Sequence, residues 1–345
     1  MKILIVKLGS IGDIVHTLPS LAAIRRALPE AEISWAAEKR SAEIIRGNNL
    51  IDRLIEVDTR SIRGGRVVAG ILPQVREQFR SLRRSRFDTA VDFQGLLKSA
   101  AIAKLSGARK RYGFARPALR EPASRIFLTD TVEIPEQTHV VRKNLILAGA
   151  ALGLPLGEAN YEFPISTDPA HVHEAEQIIA RTGGEFAILN PAGGWVTKLW
   201  PAAKFGQLAD ILWERFGLAS VIATGPQELA LADQAAAASR SGKVFLAQPS
   251  LKGFFELAKR ARVYVGGDTG PTHIAVAAGA PVVGMFGPTE WWRNGSTSPD
   301  DICVERLDIG CRVDCHRRSC SNWICMDIDV ETVAAAVEKR LGDTI

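Results

Sequence analysis

No stretch of the sequence approaches the roughly 18 consecutive apolar residues that a bilayer-spanning helix needs. Residues 1–8 form a short β-like run that leads into Gly9, without the cleavable small-residue site of a signal peptide. We therefore expect a cytoplasmic protein that is at most peripheral to a membrane.

Several common signatures are also missing. The sequence contains neither the G-x-G-x-x-G dinucleotide fingerprint nor the G-x4-G-K-[ST] phosphate-binding loop. It has no nucleic-acid-binding motif, no basic strip interleaved with aromatic residues and no low-complexity tract. These absences argue against a nicotinamide oxidoreductase, a nucleic-acid partner and extensive disorder.

Cysteine is absent before Cys303, and four of the five cysteines fall within residues 311–325. The spacing C-x3-C-x4-C-x4-C does not match the paired C-x2-C knuckles of familiar zinc sites, although His316 lies among these residues. A structural thiol cluster, local disulfides and metal binding all stay open as interpretations. The clustered residues are Cys311, Cys315, Cys320 and Cys325.

The sequence carries a net charge of +5, with arginines concentrated in its first half. A positive field of this kind favours anionic partners, such as phosphorylated sugars and anionic lipid headgroups. Any single arginine of the cluster can equally be solvated on a helix face. The cluster comprises Arg60, Arg63, Arg66, Arg76, Arg80, Arg83, Arg84 and Arg86, followed by Arg109, Lys110 and Arg111.

A chain of 345 residues exceeds what one hydrophobic core usually serves, so we predict two domains. Short apolar runs that alternate with helical patterns predict a doubly wound parallel sheet in each half. Glycines and prolines between residues 152 and 169 mark the boundary. We predict an N-terminal domain over residues 1–160, a C-terminal domain over 161–328 and a last helix within 329–345. The predicted strands are 2–8, 33–37, 53–57 and 89–93, then 187–189, 220–223, 244–246, 263–265 and 282–285.

The first motif of chemical interest, residues 7–19, places Gly9 and Gly12 in a turn between the first strand and a helix. Ligands of open α/β sheets bind at this edge. Asp13 lies in the turn, where it can act as a general base or simply cap the helix. The residues by themselves leave both roles open.

A second motif, residues 190–201, joins a strand end to Gly193, Gly194 and Lys198, ahead of a helix predicted over residues 202–216. A lysine at this position can neutralise the charge of a departing nucleotide diphosphate. It can also be an ordinary solvated loop lysine.

The third motif, residues 266–275, connects a buried strand to a helix. Thr269, Gly270 and Thr272 offer backbone amides at the helix N-terminus, which is a ready anion site. Pro271 suits the first helical position, where its missing donor has no consequence. His273 can hydrogen-bond a phosphate or lie in the core.

Two acidic motifs remain in the second half. Glu228 follows a predicted strand, where it can bind ribose hydroxyls or cap the next helix. Asp327-Ile328-Asp329 has the form of a D-x-D metal signature, but it directly precedes the last predicted helix, where Asp329 suits a cap. We therefore predict no metal site there.

Taken together, these segments resemble glycosyltransferase family 9, the ADP-heptose:lipopolysaccharide heptosyltransferases. The first three of the segments below are most similar to the heptosyltransferase I branch, which attaches the first heptose to Kdo-lipid A. Gly193 and Gly194 stand where that branch usually carries hydroxyl residues, and Cys325-Met326 resembles the heptosyltransferase II branch. The segments are residues 7–19, D-F-Q-G-L-L-K-S-A at 92–100, R-E-P-A-S at 120–124, K-L-W-P at 198–201 and D-T-G-P-T-H at 268–273.

The resemblance implies a GT-B fold, with two Rossmann-like doubly wound domains that face a cleft. It implies that the N-terminal domain holds the acceptor, that the C-terminal domain holds the donor, and that the last helix packs back on the first domain. It also implies an inverting, metal-independent transfer of heptose from ADP-heptose to a Kdo-lipid A or core-oligosaccharide acceptor, without a cofactor, at the cytoplasmic face of the inner membrane.

By the same resemblance, Asp13 is the catalytic base. Two alternatives remain: a family member that uses another nucleotide sugar or acceptor, and a non-catalytic protein that binds a nucleotide sugar. The implied donor-binding residues are Lys198, Glu228, Asp268, Thr269, Gly270 and His273, with Gly193 and Gly194 contributing backbone amides. The implied acceptor-binding residues are Arg60, Arg63, Arg120 and Gln94.

Overall fold

The computed structural model describes residues 1–58, 82–156, 161–311, 315 and 317–342. The chain divides into two compact units, Met1–Ser166 and Thr167–Ile345. This division lies within the glycine- and proline-rich stretch of residues 152–169, a few residues after the predicted end of the first domain at residue 160. Each unit has its own sheet and its own core.

The first unit contains one parallel sheet. Its described strands are β1 (Lys2–Val6), β2 (Glu32–Glu38), β3 (Arg53–Val57), β4 (Thr89–Asp92), β5 (Lys110–Phe114) and β6 (Asp130–Val132). They lie in the order β3-β2-β1-β4-β5-β6, so the order reverses between β1 and β4. A reversal of this kind is the switch point at which open α/β sheets bind ligands.

Helices accompany this sheet. They are α1 (Ile11–Val15), α2 (Leu18–Ala27), α3 (Leu97–Leu105) and α4 (Val140–Leu152). Four consecutive residues of β1, from Ile3 to Val6, are fully buried. A strand that is covered on both faces reads as a continuous apolar run, and this is why β1 was visible in the sequence.

The second unit repeats the arrangement. Its described strands are β7 (Phe186–Asn190), β8 (Ala219–Ala223), β9 (Val244–Ala247), β10 (Val263–Gly267), β11 (Val282–Met285) and β12 (Ile302–Val304). They form a parallel sheet in the order β12-β11-β10-β7-β8-β9, with the reversal between β10 and β7. The prediction of two Rossmann-like doubly wound sheets is therefore confirmed.

The described helices of the second unit begin and end close to their sequence signals. They are α5 (Pro169–Thr182), α6 (Ala202–Phe216), α7 (Leu229–Ala238), α8 (Leu251–Ala258), α9 (Gly270–Ala277), α10 (Trp291–Asn294) and α11 (Val330–Gly342). Helix α6 has the predicted bounds, and its C-terminus is Gly217 with a φ of 65°, a left-handed conformation that favours glycine.

The last helix, α11, contributes to the core of the second unit. Its buried residues Val333, Ala334 and Val337 belong to the apolar core of the second unit, where α11 contacts α6 and β11. The apolar stripe of a helix packs against the nearest uncovered sheet face. The buried face of α11 thus belongs to the second unit, and the packing against the first domain that the resemblance implies stays a prediction.

No helix among the residues that the structure describes combines the length and the apolar character needed to cross a membrane.

Candidate active site

Asp13 lies at the switch point of the first unit. It is the third residue of α1, directly after the turn that follows β1, and its Oδ2 accepts a hydrogen bond of 2.9 Å from the backbone N–H of Ser10. This contact satisfies a free amide at the helix start. The capping role considered from the sequence is therefore present.

The same carboxylate makes two contacts that a cap does not need. Arg120 donates from Nη2 to Oδ1 at 2.8 Å and from Nη1 to Oδ2 at 3.3 Å, and Lys7 Nζ lies 3.6 Å from Oδ1. Only 12% of the Asp13 side chain is exposed. Asp13 is thus a nearly buried carboxylate between two cations.

These surroundings decide the protonation state of Asp13. Burial by itself opposes ionisation, but the charges of Lys7 and Arg120 and the hydrogen bond from Ser10 outweigh it and hold the pKa of Asp13 well below its usual range. Asp13 is consequently a carboxylate throughout the physiological pH range.

Lys7 is a site residue that the sequence analysis did not single out. It is almost fully buried, and its Nζ donates to the backbone carbonyl of Phe93 at 2.8 Å. Burial lowers the pKa of Lys7, while the charges of Asp13 and Asp92 oppose that shift. The available signal was a lysine directly after the apolar run Ile3–Val6.

Gln94 forms hydrogen bonds with the turn that leads to Asp13. Its side-chain oxygen accepts hydrogen bonds from the backbone N–H groups of Leu8 at 3.1 Å and Gly9 at 3.3 Å, and the residue is almost fully buried. Both contacts lie within the protein framework. The acceptor-binding role implied for Gln94 stays a prediction.

Asp92 supports Gln94 from the end of β4. Its Oδ1 accepts from the backbone N–H groups of Gln94 and Gly95, at 2.9 and 3.3 Å, and its Oδ2 accepts from Ser99 Oγ at 3.0 Å. Burial raises the pKa of Asp92 to about 6, although these hydrogen bonds and Lys7 oppose the shift. Asp92 therefore titrates close to neutral pH.

Arg120 is brought to Asp13 by the segment around it. The backbone N–H of Glu121 donates to the carbonyl of Gly95 at 3.0 Å, and the carboxylate of Glu121 accepts from the N–H of Leu97 at 2.6 Å. Half of the Arg120 side chain, 52%, stays exposed, so it can also meet a ligand. Arg60 and Arg63, the other implied acceptor-binding arginines, lie outside the described residues.

The switch point of the second unit carries a different cluster. Lys198 Nζ lies 2.6 Å from Asp268 Oδ2 and 3.2 Å from the Asp268 carbonyl oxygen, and His273 Nε2 lies 3.2 Å from Asp268 Oδ1. Burial opposes ionisation of Asp268, but His273 and Lys198 outweigh it and hold its pKa well below the usual range. The second and third motifs thus meet in space, and their role in donor binding stays a prediction.

The start of α9 completes this cluster. Thr269 is the N-cap residue, Gly270 begins the helix, and Pro271 is its second residue, one position later than predicted. The Thr272 hydroxyl is within hydrogen-bond distance of the hydroxyls of Tyr264, at 2.9 Å, and Thr269, at 3.2 Å. The free amides at this helix start favour an anion.

Gly193 and Gly194 precede the turn that carries Lys198, which we call the lysine turn. A Cβ at Gly193 would lie 2.7 Å from Leu199 Cδ2, so glycine permits the close packing of this turn, whereas nothing lies within 4 Å of a Cβ at Gly194. Trp195 follows, and Lys198 Nζ lies 4.2 Å from the centroid of its ring.

Glu228 lies after β8, at the same edge of the second sheet. It occupies the N-cap position of α7, and its Oε2 accepts from the backbone N–H of Gly225 at 3.0 Å. This bond closes the loop before α7, and the Glu228 side chain makes no capping hydrogen bond to the helix itself. The role in ribose binding stays a prediction.

The D-x-D motif lies directly before α11 and contacts Trp200 and Lys204. Asp327 pairs with Lys204 Nζ at 2.9 Å, and the carbonyl of Ile328 accepts from Trp200 Nε1 at 2.9 Å. Across the residues that the structure describes, no group of three or more His, Cys, Asp or Glu side chains is arranged to hold a metal ion.

Two Rossmann-like domains, one with a carboxylate and the other with a cation and a helix start at its switch point, are typical of GT-B enzymes that use activated sugars. The family model described as glycosyltransferase family 9 (heptosyltransferase) matches residues 75–324 of this chain. The match covers more than half of the chain. The chain therefore belongs to glycosyltransferase family 9 and is a glycosyltransferase.

Individual relatives agree with this assignment. Lipopolysaccharide heptosyltransferase 1 of Pseudomonas aeruginosa is 31% identical over 84% of this chain and 79% of its own length. The structure of Escherichia coli heptosyltransferase WaaC with ADP matches 99% of this chain and 100% of its own, with a TM-score of 0.80 and 24% identity. The complex of WaaC with ADP-2-deoxy-2-fluoro heptose has a TM-score of 0.77 and 24% identity, and it covers 100% of both chains. The two solved structures support the fold.

Proposed function

We propose that this protein transfers heptose from ADP-heptose to a Kdo-lipid A or core-oligosaccharide acceptor during assembly of the lipopolysaccharide core. The relative from Pseudomonas aeruginosa is named for this class of reaction, and the fold matches a heptosyltransferase solved with ADP and with an ADP-heptose analogue. The observation that carries the chemistry is the nearly buried Asp13 carboxylate between Lys7 and Arg120.

In the proposed reaction, Asp13 takes the proton of the acceptor hydroxyl as the oxygen attacks the anomeric carbon of the sugar. The diphosphate leaves from the opposite face, so the configuration at that carbon is inverted. Because the base and the proposed donor site belong to different units, both must reach one pair of substrates in the same catalytic cycle.

Because its pKa is low, Asp13 is ionised and can accept a proton, but for the same reason it is a weak base. Arg120 is one cause of that low pKa, and it is also an exposed cation at the proposed acceptor site. An acceptor carboxylate or phosphate that engages Arg120 would draw it away from Asp13. The pKa of Asp13 would then rise when the acceptor is in place.

On the donor side, Lys198, His273 and the amides at the start of α9 are proposed to offset the charge of the leaving diphosphate. Asp268 is itself an anion, so we assign it to orienting Lys198 and His273, with which it pairs. Glu228 is proposed to bind the ribose. This set supplies positive charge without requiring a metal ion.

The net charge of +5 suits an acceptor that carries carboxylates and phosphates on a lipid anchor. A protein that acts on such an acceptor would work at the cytoplasmic face of the inner membrane. Arg60 and Arg63 remain proposed acceptor contacts on the strength of the resemblance.

The decisive experiment supplies the purified protein with ADP-heptose and Kdo-lipid A and measures both ADP release and the mass of the lipid product. We expect a product heavier by one heptose, formed only when both substrates are present. Binding of ADP-heptose without product would favour a non-catalytic binding protein. Product from another nucleotide sugar, but not from ADP-heptose, would replace the proposed donor.

A further inference from the structure

Two cations from distant parts of the second unit lie beside one aromatic ring. Lys198 Nζ is 4.2 Å from the centroid of the Trp195 ring, and Arg318 Cζ is 5.2 Å from the same centroid. Arg318 belongs to the cysteine-rich segment, residues 311–325, for which the sequence indicated no role beyond its thiols. Both cations lie within the usual range of a cation–π contact.

Hydrogen bonds tie this cysteine-rich segment to the turn that carries Lys198. Thr197 Oγ1 donates to the backbone carbonyl of Arg317 at 2.6 Å, and Trp323 Nε1 donates to the backbone carbonyl of Thr197 at 3.0 Å. Thr197 is almost fully buried. Arg318 therefore lies between two contacts to Thr197, one from the residue directly before it and one from a residue five positions later.

The proposed donor site needs more positive charge than Lys198 supplies, and Arg318 can provide it. Asp268 pairs with Lys198 at 2.6 Å, so the charge of Lys198 is largely cancelled before a ligand arrives. No carboxylate of the described residues lies within ion-pair distance of Arg318, which is exposed. A diphosphate carries at least two negative charges, and the helix start alone contributes roughly half a positive charge.

We propose that Arg318 is a second cation for the donor diphosphate and that Trp195 is the platform that holds it beside Lys198. The guanidinium group suits this role, because its fork of N–H donors matches two phosphate oxygens at once. Two like charges beside one ring repel each other, and an anion bound near both relieves that repulsion. The inference rests on the proposed nucleotide-sugar function and adds a residue to its donor site.

The test compares Arg318→Gln with Arg317→Gln. Both variants lose one positive charge from the same exposed segment, but no Arg317 side-chain contact to Trp195 or Lys198 is seen in the described residues. Isothermal titration with ADP, inorganic pyrophosphate and adenosine is run on the full-length wild type and on both variants. Thermal midpoints check that the variants are folded.

We expect Arg318→Gln to weaken binding of ADP and pyrophosphate about ten-fold or more, as loss of a charged hydrogen bond does. Adenosine affinity should not change, Arg317→Gln should bind all three like the wild type, and Arg318→Lys should recover part of the loss. The dependence of ADP affinity on salt should become shallower in Arg318→Gln.

Equal ADP affinity in Arg318→Gln and Arg317→Gln would overturn the inference while leaving the proposed function intact. An equal loss for adenosine and ADP would also overturn it, because it would show that Arg318 supports the shape of the segment instead of contacting phosphate. A wild-type protein that binds neither ADP nor pyrophosphate would count against the proposed donor itself, and against Arg318 as its ligand.

Discussion

At the scale of single residues, surroundings separate the aspartates of this protein into two groups. Asp13 and Asp268 are nearly buried, yet each contacts two cationic or potentially cationic side chains, so their pKa values lie well below the usual range. Asp92 is buried with mainly neutral donors around it, and its pKa rises to about 6. Partner charge, more than burial, decides whether the pKa of each of these buried groups falls or rises.

Asp13→Asn tests the proposed base. An amide cannot take the acceptor proton but can still accept from Ser10 N–H, so we expect turnover to fall roughly 100-fold or more while ADP affinity is unchanged. Steady-state kinetics and ADP titration measure the two effects. Asp52→Asn is the matched control, because Asp52 also pairs with an arginine, Arg25 Nη2 at 2.6 Å. Retention of near-normal turnover in Asp13→Asn would leave only the capping role.

The pKa of Asp92 predicts a dependence of stability on pH. The folded state keeps a proton that an unfolded aspartate, with a pKa near 3.8, has already released, so this group lowers the free energy of unfolding as pH rises from about 4 to about 6. Between pH 5 and pH 7 we expect its contribution to fall by about 1 kcal/mol. Urea unfolding of wild type and Asp92→Asn at both pH values measures this difference. A difference between the two proteins that does not change with pH would contradict it.

Residue contacts were the least predictable part of the site. The sequence marks Asp13 and Arg120 separately, but the 2.8 Å contact between them depends on how the Gly95 and Glu121 turns meet. Arg318 carries no motif of its own, and only the folded chain brings it to Trp195. Local patterns report strand ends and helix starts, whereas side-chain pairs across the sheet edge are set by tertiary packing.

At the scale of elements, most strands with a clear apolar run were predicted, including the edge strands β3 and β9, whereas β5, β6 and β12 were not. The apolar runs at β1, β7 and β10 were identified because each reads as a buried strand. Strand β5 begins Lys110-Arg111, and β6 and β12 have only three residues each, so none shows a clear period. Strands β6 and β12 form because a longer neighbouring strand already offers its hydrogen-bonding edge.

Gly206 tests the packing of α6 against α7. A Cβ at this position would collide with the backbone carbonyl oxygen of Ala235 and lie 2.9 Å from Ala238 Cβ. Gly206→Ala should therefore lower the free energy of unfolding by about 1 to 3 kcal/mol, despite the better helix propensity of alanine. Gly342→Ala in α11, where nothing lies within 4 Å, is the control and should be neutral or slightly stabilising. Urea unfolding compares them, and an equal response of the two variants would be inconsistent with close contact of α6 and α7.

Thr197 tests the attachment of the cysteine-rich segment to the lysine turn. Thr197→Val keeps the shape of the side chain but removes the donor to the Arg317 carbonyl. We expect ADP affinity to fall about five-fold, corresponding to one hydrogen bond, because Arg318 is then held less firmly. Thr197→Ser retains the hydroxyl and should bind ADP like the wild type. If calorimetry finds the same ADP affinity in Thr197→Val and Thr197→Ser, the hydrogen bond from Thr197 has no part in donor binding.

At the scale of the whole molecule, the chain contains two sheets with the same strand order, each with its reversal next to a proposed site. The proposed base follows β1 in the first unit, and the Lys198–Asp268 pair joins the segments after β7 and β10 in the second. The repeated strand and helix pattern made this division predictable. The assignment of donor and acceptor to particular units came from the resemblance and needs its own test.

Hydrogen exchange with and without ADP provides that test on the full-length protein. All proposed donor contacts lie in the second unit, so ADP should slow exchange in the turns around residues 191–200, 225–228 and 266–273, and leave residues 1–166 unchanged. At a hundred-fold excess over its Kd, ADP should stabilise the unit that binds it by about 2.7 kcal/mol. Adenosine should protect residues 225–228 without protecting 266–273, because it lacks the diphosphate that the start of α9 is proposed to bind. If ADP slowed exchange mainly in residues 1–166, the donor would bind the first unit. Asp13 would then belong to the donor-binding unit and not to the acceptor-binding unit.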